Sequence, residues 1–240
     1  PDEPVAMTRM PHGTDVNFGA LADHLIKWLG QQEGCGYATL HRVTDLPKRS
    51  TGDWEVEIKN LKSGKTFKNS ARFVFIGAGG GSLPLLQKSG IAEAKGFGGF
   101  PIGGQWLVSK KPELVKQHNA KVYGMSPGAA PTMAVPHLDT RVIDGERSLL
   151  FGPYAAWTTK FLHEKGSAFD LPSSIRVDNI GSLIKVGLGN IPLVRYLVQQ
   201  GTQSMRTRMG ELQKFFPDAK QEDWQLIDAG IRVQAIKKED

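Results

Sequence analysis

The chain has 240 residues, of which 40% are hydrophobic and 22% charged, the balance of an ordinary soluble globular protein. The formal net charge of +6 comes from scattered residues, so it gives weak support for an anionic ligand or a membrane surface and argues against a nucleic-acid partner. The single cysteine, Cys35, excludes an internal disulfide and a cysteine-based zinc site, and no metal site is predicted.

The first 95 residues predict a helix, a hairpin and a strand–turn–helix unit. Apolar residues recur at helical spacing over 18–33, with polar cap candidates before them and Gly34 to end the helix. Alternation over 54–60 and the turn residues at 62–65 predict a β-hairpin over 54–70. The run at 72–76 is apolar throughout, as in a strand covered on both faces, and glycines and a second helix follow it.

The sequence pattern of residues 96–240 changes twice. Residues 96–160 are rich in Gly and Pro with short strand-like pieces, which predicts an antiparallel sheet with long loops. From about 172 to 229 the pattern is helical, with Pro192 suited to the first turn of one helix and Pro217 to the end of another. The run at 231–236 returns to strand character. The expected fold class is mixed α+β, in two parts, 1–95 and 96–240.

The glycine turn after the apolar run is the first candidate for chemistry. A backbone without side chains lets a phosphate or a ring approach, next to a helix N-terminus that favours negative charge. A complete dinucleotide fingerprint is missing, because Ser82 stands where a third glycine belongs and no acidic residue follows about 20 positions later. Two interpretations remain: the turn contacts a cofactor held mainly by other segments, or it packs a strand against a helix.

The stretch "VPHLDTRVIDG" is the second candidate. In an extended chain His137, Asp139 and Arg141 share one face. A histidine can accept a proton near neutral pH, and an arginine can bind a carboxylate with two hydrogen bonds. Together they suit a small hydroxy acid, with the base at the hydroxyl and the guanidinium at the carboxylate. The alternative is a solvated strand with an Asp–Arg surface pair.

Three further polar residues lie in strand-like runs. Gln105 follows paired glycines inside an apolar run, and a buried amide there needs a hydrogen-bond partner. Arg232 and Gln234 share one face of a short apolar strand, and a buried arginine requires an anionic partner from the protein or a ligand. Exposed strand residues and a surface ion pair are the alternatives.

The chain resembles the malate:quinone oxidoreductases. The resemblance is collinear over essentially all 240 residues and rests on "TDVNFGAL", "FVFIGAGGGSLPLLQKSGI", "KVYG", "VPHLDTRVIDG", "RYLVQQG" and "FPDAK". It implies an FAD-dependent flavoprotein with a fold of the D-amino-acid-oxidase type. It also implies oxidation of (S)-malate to oxaloacetate in the tricarboxylic acid cycle, with electrons passed to membrane quinone by a cytoplasmic enzyme peripheral to the bacterial inner membrane.

The resemblance implies separate roles for the candidate residues. His137 accepts the proton of the malate C2 hydroxyl, Arg141 and Arg232 clamp the carboxylates, and hydride passes from C2 to the flavin. Gln105 and Gln234 belong to the substrate pocket. The cofactor-binding positions are expected at Gly77, Ala78, Gly79, Gly80, Gly152 and Pro153. A 2-hydroxyglutarate oxidoreductase of the same fold and a non-catalytic binding module remain as alternatives.

The family's N-terminal GxGxxG segment, which binds the FAD pyrophosphate, does not occur in this sequence. We therefore expect an internal piece of the enzyme, with residues 1–95 forming part of an FAD-binding domain. Residues 96–240 would form the substrate domain, with its helical region at about 172–229. By itself this piece is expected to bind FAD weakly or not at all and to be inactive.

Overall fold

A computed structural model describes residues 6–124 and 136–237 of the chain. It contains helices and two antiparallel sheets, so the predicted mixed α+β class is confirmed. One sheet lies before residue 95 in the sequence and the other lies after it. The assignment of residues 1–95 to a flavin domain stays a prediction. Within 6–124 and 136–237, no helix has the length and apolar character needed to cross a membrane.

The first sheet has three strands in the order β1-β2-β3. They are β1 (His41–Asp45), β2 (Trp54–Asn60) and β3 (Thr66–Ala71). The Oδ1 of Asn60 accepts two backbone N–H bonds, both 2.9 Å long, from the turn that joins β2 to β3. This side chain replaces the missing ladder partners at the turn, and the predicted hairpin over 54–70 is confirmed.

The first helix, α1 (Phe18–Leu29), begins at the polar residues predicted to cap it. Asn17 accepts a 3.1 Å hydrogen bond from the backbone N–H of Ala20. The helix ends at Leu29 rather than near residue 33, because the N–H of Gly30 closes the last turn on the carbonyl of Ile26. None of its residues is buried among the described residues, so its apolar face is open.

The strand predicted at 72–76 is wrong. The segment is irregular in the structure, and Phe73 and Phe75 are 77% and 84% exposed. A strand needs a neighbour for its backbone hydrogen bonds, and no strand among the described residues pairs with this one. The glycine turn and the helix α2 (Ser82–Lys88) follow it as predicted.

The second sheet has five strands in the order β5-β6-β7-β4-β8, all antiparallel. They are β4 (Gly98–Ser109), β5 (Lys121–Tyr123), β6 (His137–Ile143), β7 (Glu146–Trp157) and β8 (Gln225–Ile236). The predicted antiparallel sheet is thus confirmed, while residues 125–135 lie outside the described residues.

One face of this sheet forms an apolar core. Leu107, Leu138, Leu149 and Phe151 come from three adjacent strands and are at most 1% exposed. They pack with Met209 and Leu212 of α7 (Met205–Leu212) in one cluster. Because strand side chains alternate, the odd-numbered neighbours of Leu138 point to the opposite face, and that face carries the candidate site.

The remaining helices are α3 (Pro112–Val115), α4 (Asp170–Ser174), α5 (Ile180–Gly189) and α6 (Ile191–Gly201), the last with Pro192 in its first turn as predicted. The predicted helical region extends too far. Residues 225–229 belong to β8, because their backbone groups pair with β4 through Val108 opposite Gln225 and Leu107 opposite Leu226. Pairing with the sheet overrides the local pattern here.

Candidate active site

His137 begins β6 and its ring is held between two aromatic side chains. Tyr123, its neighbour on β5, stacks on it with ring centroids 4.6 Å apart and planes 29° from parallel. Trp106 of β4 meets it edge-on at 5.2 Å. The side chain is only 13% exposed. An imidazole so enclosed has few accessible rotamers, so a proton acceptor here is fixed in direction.

Asp139 lies two residues along β6 on the same face, as the strand alternation predicted. Its Oδ2 is 3.4 Å from Nε2 of His137 and 2.8 Å from Nζ of Lys121, and the residue is 2% exposed. Burial by itself raises the pKa of this carboxyl. The hydrogen bonds from His137 and Lys121 outweigh it, so the pKa of Asp139 lies below its ordinary value. A carboxylate is therefore fixed beside the imidazole.

Two polar atoms in this group are buried without a hydrogen-bond partner among the described residues, Nδ1 of His137 and Oδ1 of Asp139. Buried polar atoms are normally paired. With the Nε2 proton directed to Asp139, the Nδ1 of His137 carries the lone pair of the neutral ring. The arrangement thus leaves one basic nitrogen of the ring buried and without a partner among the described residues.

Arg141 continues the same face and is engaged by the N-terminal segment. Its Nε lies 2.8 Å from Oδ1 of Asp15, an ion pair by distance, although the N–H does not point at that oxygen. Its Nη2 donates to the carbonyl of Val16 at 3.1 Å. Asp15 also accepts a 2.8 Å bond from the backbone of Val142. The predicted Asp–Arg surface pair therefore exists, with Asp15 rather than Asp139 as its acid.

Arg232 lies on β8 opposite Ile102 of β4. Alternation along β4 gives Ile102 and Trp106 the same face, and Trp106 contacts His137. Arg232 therefore shares the face of His137, about 13 Å away along the strands and about 14 Å across three strand spacings. Its Nη2 donates to Oε1 of Gln234 at 3.1 Å. The sheet thus puts Arg232 and Gln234 on the candidate face but not in contact with His137.

Gln105 was expected in the substrate pocket, and the structure does not support that placement. It precedes Trp106 on β4, so its side chain points to the other face, where it lies opposite Tyr154 of the core. There its amide donates a 2.9 Å hydrogen bond to Asp228 of β8. Of the two alternatives, a strand residue paired with its neighbour describes Gln105 better.

Gly152 lies directly opposite His137, and Pro153 follows it. Its φ is +150°, and a Cβ at this position would come within 3.0 Å of the Trp106 ring and 2.9 Å of the Gln105 carbonyl oxygen. Glycine is needed here so that Trp106 can lie against the imidazole. The shape of the site accounts for this residue without any cofactor.

The glycine turn lines a separate cleft of about 280 Å³ beside β8. Gly79 and Gly80 contribute to its wall, together with Val233, which points away from the face of Arg232. Gly80 packs so closely on the backbone of Phe161 that a side chain would overlap it. Close packing against the irregular segment at Phe161 and against Val233 of β8 thus explains Gly80. Gly79, with φ +55° and open space around it among the described residues, leaves room for a ligand.

This cleft is too small to enclose FAD. It is mainly apolar in its lining residues but smaller than the roughly 300–1,000 Å³ of pockets that enclose organic ligands. The N–H of Ala78 is already bonded to Oγ of Ser82 at 3.0 Å, so it is not presented to a phosphate. The residues fit contact with one side of a flavin ring and do not by themselves enclose the dinucleotide.

Sequence reasoning missed Lys121, Tyr123, Trp106 and Asp15 as components of the site. Lys121 and Tyr123 alternate along one short strand, so they share a face. Their alignment with Asp139 and His137 depends on cross-strand register, which the sequence does not display. Asp15 is far from Arg141 in the chain, and only its acidic side chain was a signal.

A second buried charge lies on the core face, away from His137. Arg208 is 2% exposed and its guanidinium lies 4.6 Å from the ring centroid of Tyr154, whose hydroxyl donates to the carbonyl of Arg208 at 3.1 Å. Burial lowers the pKa of Arg208. The pair links α7 to β7 and has a structural role.

Among the described residues, no group of three His, Cys, Asp or Glu side chains could hold a metal ion.

Comparison with known proteins decides the family. The family model for malate:quinone oxidoreductase (Mqo) matches residues 1–240. The chain belongs to the malate:quinone oxidoreductase family. The resemblance in the sequence motifs is thus confirmed, and the arrangement of His137, Asp139 and Arg141 is a feature of a member of this family.

Individual relatives agree with the family match. The chain is 54% identical over 238 residues to "Probable malate:quinone oxidoreductase 1" of Pseudomonas putida, which covers 99% of this chain and 47% of the relative. It is 53% identical over 238 residues to "Probable malate:quinone oxidoreductase 2" of Pseudomonas aeruginosa, with 99% and 46% covered. A relative from Hahella chejuensis is 51% identical over 239 residues, with 100% and 48% covered. The chain therefore spans about half the length of these malate:quinone oxidoreductases.

Proposed function

We propose that the natural gene product containing these 240 residues oxidises (S)-malate to oxaloacetate and passes the electrons to a quinone. The observation that carries the proposal is the enclosed imidazole of His137, with a buried Nδ1 and an Nε2 facing the buried carboxylate of Asp139. A hydroxyl group can be deprotonated only by a base whose lone pair is presented to it. The names of the relatives supply malate and quinone as the substrates.

His137 would accept the proton of the C2 hydroxyl at Nδ1. FAD, when bound, would supply the redox chemistry for the oxidation at C2. The rest of the protein's contribution is orientation and charge. The imidazole keeps its direction through Tyr123 and Trp106, and the proton it gains is stabilised by the nearby Asp139.

Arg141 would bind one carboxylate of malate, whereas Arg232 lies about 13 Å along and about 14 Å across the sheet from His137, too far away to bind the same molecule. The contacts of Arg141 with Asp15 and Val16 use Nε and Nη2, so Nη1 is the group with which it would meet a ligand, given the contacts that the described residues make. Arg232 shares the face and has Gln234 as its neighbour. Arginine suits this role because its planar group matches a carboxylate.

The flavin ring would contact this chain near Gly152 and Pro153, beside His137. The cleft at Gly79 opens on the other face of the sheet, with Val233, so a contact of FAD with Gly77–Gly80 would involve a different part of the cofactor. Since these residues do not enclose a dinucleotide, most of the FAD site would come from other segments. The protein would then serve the tricarboxylic acid cycle and the respiratory chain.

The quinone acceptor suggests a protein peripheral to the cytoplasmic face of the bacterial inner membrane. The outer face of α5 supports this: Ile180, Ile184 and Leu188 are 46%, 56% and 68% exposed and lie at helical spacing, next to Lys185. Residues 180–201 contain no acidic side chain. Apolar residues flanked by basic ones suit an anionic bilayer surface. Co-sedimentation with anionic phospholipid vesicles tests this, and Ile184→Asp binding as strongly as the wild type would refute it.

The substrate is tested with the purified natural gene product, FAD and a soluble quinone analogue. Malate and 2-hydroxyglutarate are compared as reductants, because the distance between the two carboxylates separates them. We expect malate to give the higher kcat/KM. A higher value for 2-hydroxyglutarate would favour the related oxidoreductase, and no reduction by either compound would favour a binding module.

A further inference from the structure

Lys121 and Asp139 form an ion pair next to His137, on the side of its Nε2. The ladder between β5 and β6 places Lys121 opposite Asp139 and Tyr123 opposite His137, so two adjacent cross-strand pairs make up one unit. Within it, a single carboxylate oxygen, Oδ2 of Asp139, faces both Nζ of Lys121 at 2.8 Å and Nε2 of His137 at 3.4 Å. The carboxylate is 3% exposed, and Lys121 is 45% exposed.

The charges of this unit are balanced without His137. Lys121 and Asp139 together are neutral, so the buried carboxylate is already compensated when the imidazole is uncharged. Around the imidazole, the described titratable groups are Asp139 on β6 with Lys121 and Tyr123 on β5. The strands β4 and β7 present Trp106 and Gly152, which do not titrate.

We infer that Asp139 and Lys121 are positioning residues for His137 in the proposed reaction. Asp139 holds the proton on Nε2 and so presents Nδ1 as the base. Lys121 compensates the charge of the buried carboxylate and holds it beside the ring. Neither residue needs to contact the substrate. The inference rests on the proposed function for its catalytic meaning, but the position of the proton on His137 can be observed by itself.

The first test observes that proton directly. The natural gene product is labelled with ¹⁵N-histidine, and NMR correlations of the ring nitrogens identify the protonated one, with His137→Gln to assign the signal. We expect the neutral ring of His137 to carry its proton on Nε2, and Asp139→Asn to lose that preference. A proton on Nδ1 in the wild type would overturn the inference.

The second test uses malate-dependent reduction of a quinone analogue as a function of pH. Asp139→Asn is expected to lower kcat about 10–100-fold, the loss typical of residues that orient a functional group. Lys121→Met should lower kcat with little change in KM, because the carboxylate beside His137 loses the partner that holds it. Lys121→Arg should restore kcat.

Lys110→Met is the matched control for the lysine. Lys110 pairs with Glu146 at 2.6 Å in the same sheet, but both partners are exposed. Its profile should match the wild type. If Lys121→Met behaves like this control, the role of Lys121 is refuted. Lys121 lies on the edge strand β5, so we expect this variant to fold and to test the inference even if Asp139→Asn does not fold. An inactive wild type that still shows the Asp139-dependent Nε2 proton would refute the proposed function and support the positioning contact.

Discussion

Substitution of Gly80 shows whether a glycine is needed here for packing or for cofactor binding. A Cβ at this position would come within 2.8 Å of the carbonyl carbon of Phe161 and 3.0 Å of Cγ2 of Val233, and closer still to the Phe161 oxygen. Carbon atoms in contact prefer about 3.5–4.0 Å, so the turn or the Phe161 backbone must shift by at least about 0.7 Å. Such overpacking costs about 1–3 kcal/mol, so Gly80→Ala should destabilise the protein.

Gly187→Ala is the matched control with the opposite expected sign. Gly187 lies inside α5, and apart from the backbone of its own helix and its chain neighbours, no described atom lies within 4 Å of a Cβ built on it. Removing a glycine from a helix interior gains about 0.5–1 kcal/mol. Urea unfolding of the protein without FAD, followed by tryptophan fluorescence, measures both changes.

If Gly80→Ala is as stable as the wild type, close packing is not the reason for this glycine. In that case a loss of flavin binding by the same variant would assign Gly80 to the cofactor. Lower stability of Gly187→Ala would instead show that the surface of α5 is covered in the natural protein.

Three further predictions concern stability. Tyr154→Phe should cost about 1–3 kcal/mol in urea unfolding, because the buried carbonyl of Arg208 loses its hydrogen bond; no loss would contradict this. Asn17→Ala should cost about 1 kcal/mol as a lost cap of α1, while Asn17→Gly should cost only a few tenths; equal losses would argue against capping. The carboxylate of Asp139 should stabilise the fold above its ordinary pKa of 3.8 and lose this effect as pH falls through its lower folded pKa. The difference in unfolding free energy between wild type and Asp139→Asn should therefore shrink in acid, and a constant difference would refute it.

Local patterns predicted those parts of the fold whose hydrogen bonds are made nearby. The hairpin over 54–70 has its turn and both strands in one segment, and α1 has its cap at Asn17. Residues 225–229 were misassigned because their partner strand β4 is more than 100 residues away. The apolar run at 72–76 was misassigned because a strand requires a neighbour, and the described residues provide none.

The candidate site also has a part that local patterns predicted and a part that they did not. Alternation along one strand was enough to put His137 and Asp139 on one face, and Arg232 and Gln234 on one face. The pairing of Lys121 with Asp139 depends on register between strands, so no pattern within one segment could predict it. The catalytic roles stay predictions, since family membership does not assign them to residues.

The most direct test of the account is the role of His137 as the base. His137→Gln is made in the natural gene product loaded with FAD, and the rate of flavin reduction by malate is measured in a stopped-flow spectrophotometer. His24→Gln serves as the control, because His24 is exposed on α1. The account predicts a loss of about 10²–10⁴-fold for His137→Gln alone, the contribution of a general base. A loss below about tenfold, with the control unchanged, would contradict it.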